Sequence, residues 1–283
     1  MQQSTVLVAL LLLAATLAGV ASAETAPDEA IEIGRSHLLE SKLLEQTRRI
    51  NVYLPKSYDE SPQRHYPVLY LLDGGVREDF VHITGLASLA ADYRNLREFL
   101  VVGIENIDRY HDLTSPTAVE AERQRLPTAG GAAEFRTFLG RELLPWVKSR
   151  FRVTGETVLI GESLAGHFVV ETYLEQPRMF QGYVAVSPSL WWNDQRLAKG
   201  AASALRRPRP ADRHLFLAIA DEGGAMQEGL DRLLAALAAV SASSWTFEPF
   251  PGETHGTIFH PAAWTALRQL FALEPAGSGQ DSS

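Results

Sequence analysis

Thr157-Val158-Leu159-Ile160-Gly161-Glu162-Ser163-Leu164-Ala165-Gly166-His167 is the stretch whose reading decides the fold. Thr157 to Ile160 is a short, β-branched apolar run, as expected of a strand covered on both faces. Leu164 to Leu174 reads as a helix. Ser163 thus falls on the sharp turn between them, where a strained backbone pushes its hydroxyl out above the sheet. The residues two before and two after it crowd together, and Gly161 and Ala165 are both small. The helix amides that follow point toward the hydroxyl and suit a developing oxyanion. A Gly-x-Ser-x-Ala match by itself is weak, because a βα turn with a capping serine has the same residues.

Working outward, short apolar runs alternate with stretches of helical period. Arg49–Leu54, Val68–Leu72, Phe99–Ile104, Tyr183–Val186, Leu215–Ala220 and Trp245–Phe250 read as strands. Helices are expected over Asp79–Tyr93, Glu134–Arg150, Met226–Val240 and Pro261–Phe271. Such alternation predicts βαβ units, a mostly parallel central sheet and helices on both faces. Two stretches break the rhythm. Glu105–Gly131 is too long for a βα connection and carries Arg109, Arg123 and Arg125, and Ser187–Pro210 contains Trp191-Trp192. Long connections of this sort are usually functional or mobile. The arginines suit an anionic or catecholate group and the tryptophans an aromatic one, while solvated charge and core packing are the bland readings.

A serine nucleophile needs a base and a group that orients the base, and on this fold class they follow in the order Ser, acid, His. Leu215–Ala220 runs into Asp221-Glu222-Gly223-Gly224, and Trp245–Phe250 runs into Pro251-Gly252-Glu253-Thr254-His255-Gly256. Both put the needed groups at carboxyl ends of strands, where ligands collect in open α/β sheets. His167 reads better as a packing residue and His260 as the start of the last helix. An oxyanion hole would use the amide of Leu164 and one from Leu71-Leu72-Asp73-Gly74-Gly75, with Gly75 N–H preferred. No cofactor is called for, and the spacing of His255 and His260 fits no metal-ligand pattern.

Composition narrows the class. The chain has 283 residues, no cysteine and a net charge of −8. Without cysteine there is no disulfide, thiolate metal site or cysteine nucleophile, and serine is left as the natural nucleophile. An acidic chain lacks the cationic surface that nucleic-acid binding requires. Val6–Val20 is an almost unbroken apolar run followed by Ala21-Ser22-Ala23, with no charged side chain before Glu24. That is the form of a secretory signal peptide over residues 1–23, although the usual Lys or Arg is missing. The run is short of the ~20 residues needed to span a bilayer, so no stable membrane insertion is expected once the leader is cut. Residues 24–273 are expected to form one α/β domain, exported to the periplasm or secreted, and 274–283 a Gly/Ser-rich disordered tail.

With these residues in place, the chain resembles an esterase family of α/β-hydrolases that includes esterase D, the secreted mycolyltransferases and trilactone esterases acting on enterobactin-type siderophores. The resemblance spans about residues 36–272. It rests on Tyr66-Pro67-Val68-Leu69-Tyr70-Leu71-Leu72-Asp73-Gly74, on Ile160–Gly166, on Gly252-Glu253-Thr254-His255-Gly256, and on Val101-Val102-Gly103-Ile104 with Arg109 and Asp112-Leu113-Thr114. It implies the α/β-hydrolase fold, Ser163 as nucleophile, His255 as base and an acid in Asp221-Glu222. Glu222 is the first choice, because in parts of the family the acid is a glutamate followed a few residues later by Met, here Met226. It also implies an oxyanion donor at Gly75. Ala165 departs from the family's second elbow glycine, and Ser115 is an extra residue before the proline. The expected activity is an exported serine carboxylic-ester hydrolase acting on a small-molecule ester, with Arg109 on the substrate side. An acyltransferase and a non-catalytic ligand-binding protein are the alternatives on the same fold.

Overall fold

The computed structural model describes residues 29–93, 95–240 and 244–273. The leader and tail expected over 1–23 and 274–283 lie outside these residues.

In chain order the elements are β1 (Arg35–Ser41), β2 (Gln46–Tyr53), α1 (Ser57–Glu60), β3 (Tyr66–Leu71), α2 (Phe80–Asp92), β4 (Leu100–Ile104), α3 (Arg109–Leu113), α4 (Glu120–Arg125) and α5 (Ala132–Phe138). A π turn, Leu139–Leu143, leads to α6 (Leu144–Arg150). Then come β5 (Val153–Glu162), α7 (Leu164–Glu175), β6 (Gly182–Val186), α8 (Trp192–Leu205), β7 (His214–Ala220), α9 (Gly224–Ala238), β8 (Ser244–Phe250) and α10 (Phe259–Leu270).

The strands form one eight-stranded sheet in the order β1-β2-β4-β3-β5-β6-β7-β8. β1 and β2 pair antiparallel, as do β2 and β4, and every other pairing is parallel. Parallel strands buried on both faces need apolar side chains at every position, which is why β3, β4 and β6 read as unbroken apolar runs. Their alternating residues feed two cores. Val68, Tyr70, Leu159, Tyr183, Leu215 and Leu217 pack on one face with residues of α5, α7, α8 and α9. Leu69, Leu71, Val158, Ile160, Val184 and Phe216 pack on the other with residues of α2 and α10. The mostly parallel sheet and two helical layers are those of the α/β-hydrolase fold.

The order also fixes where a site can form. From β3 the chain crosses to β4 on one side, and from β5 it runs to β6 on the other. The crevice between the carboxyl ends of β3 and β5 is therefore a topological switch point. The turn at Asp73–Gly75 follows β3 and Ser163 follows β5, so both loops open at that crevice.

The two irregular stretches are more ordered than their length suggests. Residues 105–131 contain α3 and α4, and Asp112 of α3 forms a fully buried ion pair with Arg48 of β2 at 2.7 Å. Residues 187–210 contain α8, entered through three consecutive left-handed residues, Asn193, Asp194 and Gln195. Asn193 accepts from the amide of Ala118, donates from its side chain to Pro116 O and gives its own N–H to Glu122. The helix expected over Glu134–Arg150 forms, with the π turn at its middle. The edge strand β1 has no counterpart in the sequence reading, because its residues are exposed or half-buried except Ser41. Among the described residues no helix is long and apolar enough to cross a membrane.

Candidate active site

The turn after β5 is set by sterics. A Cβ at Gly161 would lie 2.6 Å from Cβ of Ala165, so position 161 must be glycine, and the methyl of Ala165 fits only because position 161 has none. The same crowding holds Ser163 at φ 60°, ψ −117°, a region that disfavours side chains and signals stored strain. The Ser163 N–H donates to Val186 O, and its carbonyl accepts from the amides of His167 and Ser189. The backbone is pinned on both sides while Oγ stays available.

Oγ lies 3.0 Å from Nε2 of His255, with Oγ of Ser189 a further 3.3 Å neighbour. Ninety-two residues of sequence separate serine and histidine. The histidine sits on a turn after β8 tied by the bonds from Thr257 N–H and Ile258 N–H to Thr254 O, and Ile258 is fully buried. Its Nδ1 faces Oε1 of Glu222 at 3.1 Å. The Glu222 side chain is 8% exposed and the imidazole 47%, so a buried carboxyl faces a half-exposed ring. Oε1 has no aligned hydrogen-bond partner, and such contacts often tighten only when substrate is bound.

Asp221 is placed differently from its neighbour. It is exposed, and its N–H donates to Glu253 O at 3.2 Å, which ties the β7 loop to the loop of His255 through the backbone. The structure brings Glu222, not Asp221, to the imidazole.

The Leu164 N–H is the first amide of α7 and has no intrahelical acceptor. The β3 turn is crowded in its own way. A Cβ at Gly74 would lie 2.4 Å from Gly103 Cα, and the Gly74 N–H donates to Ile104 O. Asp73 takes φ 51° and is gripped by Arg109, whose Nε and Nη2 donate to its two carboxylate oxygens at 2.8 and 2.7 Å. Arg109 thus meets the site through Asp73 and not as a free cation. The Gly75 N–H is not vacant: it donates to Oε2 of Glu78 at 2.6 Å. Asn106 donates to the other oxygen of Glu78 at 2.8 Å and to Asp73 at 2.6 Å.

Glu162, one residue before the serine, escaped the sequence reading. Burial, then the charges of Asp79, Asp73 and Glu222, push its carboxyl up to about 7, against the pull of Arg109, and its Oε1 is buried without a partner. No sequence signal marks it, since the position tolerates any residue in the elbow pattern. The remaining candidates have structural places. His167 is fully buried, kept neutral by desolvation, with Nδ1 3.1 Å from Ser189 O. His260 Nδ1 lies 2.9 Å from Nε2 of His82. Trp192 is buried and donates to Ser115 O, and Arg123 pairs with Glu120 at the surface. Among the described residues no three His, Asp or Glu side chains are grouped to hold a metal ion.

Residues 41–248 match the model of the family described as "Putative esterase". The chain belongs to this esterase family. A curated relative of this esterase, the ferri-bacillibactin esterase BesA of Bacillus subtilis, is 28% identical over 257 residues, covering 82% of this chain and 87% of that one. Among solved structures, an IroE-like serine hydrolase from Shewanella oneidensis superposes with TM-score 0.76 at 28% identity, covering 85% of this chain and 82% of that one. The siderophore hydrolase EstB of Aspergillus nidulans shares the fold, with TM-score 0.75 at 20% identity over 89% of this chain and 99% of that one. This esterase is therefore a carboxylic ester hydrolase.

Proposed function

We propose that the chain is an exported serine esterase that cleaves small siderophore-type esters through an acyl-enzyme, with Ser163 as nucleophile, His255 as base and Glu222 as the orienting acid. The observation that carries this reading is the 3.0 Å contact between Ser163 Oγ and His255 Nε2 on a turn whose backbone is sterically forced. Ser163 O–H donates to Nε2, so its proton passes to the imidazole as Oγ attacks the ester carbonyl. Nδ1–H then faces Glu222, which steadies the imidazolium. The tetrahedral oxyanion is held by the amides of Leu164 and Gly75, and its collapse expels the alcohol, which takes the proton from Nε2. Water repeats the sequence on the acyl-enzyme with the same base. Arg109 holds the Asp73–Gly75 turn on the substrate side of the crevice.

The siderophore class rests on the relatives, and export rests on Val6–Val20 with Ala21-Ser22-Ala23. A single hydrolase domain over 24–273 would then be the mature enzyme, in the periplasm or outside the cell. Ser163→Ala should lower turnover of p-nitrophenyl acetate by about 10⁴-fold or more while the protein stays folded. A fluorophosphonate should label Ser163 in the wild type. An unlabelled serine, or an alanine variant as fast as the wild type, removes this reading. Amino-terminal sequencing of the exported protein should begin at Glu24.

A further inference from the structure

The Gly75 N–H, assigned above to the oxyanion, is held in the free enzyme by the chain's own carboxylate. Glu78 Oε2 accepts it at 2.6 Å, and a Cβ added to Gly75 would lie only 2.8 Å from that oxygen. A charge-assisted bond of this length is among the stronger ones in a protein. Carbonyl oxygen and carboxylate compete for one donor, so an ester reaches its transition state only after Oε2 has let go. Glu78 does not have to leave altogether. Its other oxygen accepts from Asn106 Nδ2, which is itself anchored on Asp73, and the carboxylate can turn about that contact. Oε2 would then sit at the edge of the hole without its Gly75 donor. A carboxylate oxygen in that position needs a new N–H or O–H. The group best placed to supply one is carried on the carbon next to the ester carbonyl.

We propose that Glu78 is a specificity-determining residue that selects esters with a hydrogen-bond donor on the carbon adjacent to the carbonyl, such as N-acylamino esters, over plain alkyl esters. This rests on the reading of Gly75 as oxyanion donor. The exchange is one for one: the substrate's donor takes Oε2, and Gly75 N–H turns to the oxyanion. A site built around a substrate N–H rejects the analogue lacking it because its own polar group is left unpaired. Glu78 belongs to an exposed position, so a substitution there leaves both cores intact.

The test compares two p-nitrophenyl esters, N-acetylglycinate and 4-oxopentanoate, which differ only in N–H against CH₂. Each kcat/KM is divided by the ester's own rate with hydroxide, since the first is intrinsically the more reactive. The corrected preference for N-acetylglycinate should be about 10-fold or more in the wild type. In Glu78→Ala it should collapse to within about twofold, with the 4-oxopentanoate rate rising because the competitor for Gly75 is gone. Glu78→Gln, which keeps the shape, should lose most of the preference as well and covers the case of a poorly folded alanine variant. An unchanged ratio in both variants, or an equal fall on both esters, overturns the proposal, because Glu78 then only braces the turn. Fluorophosphonate labelling is run on every variant: normal labelling with an unmoved ratio defeats this inference alone, while no labelling of the wild type defeats the serine esterase reading beneath it.

Discussion

The two halves of the site, the turn after β5 and the turn after β3, differ in how their polar groups are engaged. Ser163 is fixed by contact: Gly161 against Ala165, and backbone bonds to Val186, His167 and Ser189. The β3 turn has its own steric lock, Gly74 against Gly103, and its own backbone bonds, but its Asp73 carboxylate and Gly75 N–H are also taken up by side chains, Asp73 by Arg109 and Asn106, and Gly75 by Glu78. Steric fixation cannot be undone without moving backbone, whereas a side-chain hydrogen bond can change partner with the backbone in place. On the proposed reading, chemistry common to a whole class of esters would sit on the first half, and choice between esters on the second, where side-chain partners can be swapped.

The contrast can be broken most severely at Gly161. Gly161→Val should cost about 3 kcal/mol or more and at least about 100-fold in turnover, because its branched side chain drives Ala165 and Ser163 out of line. Urea unfolding and ester kinetics read the two effects, and a well-folded, active valine variant would mean that sterics do not set this turn. Next in size, Asp112→Ala should destabilise by about 3–5 kcal/mol by leaving Arg48 buried and uncompensated. This stretch leads away from Arg109, so the loss would extend the polar description from the turn to its support.

Glu222→Gln should lower turnover about 100-fold, and Asp221→Asn less than about twofold, since only the former faces the imidazole. Equal effects would make the acid a property of the whole loop. A pH-dependent effect on stability is expected at Glu162. Its carboxyl is raised from 4.5 to about 7, so the neutral form is favoured by the fold. That contribution is fully present below pH about 4.5 and is lost as pH rises through about 7. Glu162→Gln should therefore match the wild type in stability at pH 4 and exceed it by about 1–2 kcal/mol at pH 9, allowing for partial exposure of the side chain. Urea midpoints at the two pH values decide it, and a variant less stable at pH 9 would reverse the sign of the electrostatics.

Much of this is legible in the sequence. Unbroken apolar runs such as Tyr66–Leu71 announce parallel strands because burial on both faces leaves no place for polar side chains. The elbow was legible because its demand for small residues is local. β1 was not, since an edge strand carries no strong pattern. The left-handed entry to α8 was not either, because its partners Glu122, Ala118 and Pro116 lie some seventy residues earlier in the chain.

By itself, the sequence determined the alternation of strands and helices, the elbow serine and the order in which serine, acid and histidine appear, all of which depend on near neighbours or on simple succession. Tertiary structure alone decided that Glu222 and not Asp221 faces His255, that Arg109 is spent on Asp73, and that Glu78 occupies Gly75. The reason is physical: adjacent residues on a turn point in different directions, and a charge is free or paired according to what the folded chain brings within about 3 Å of it.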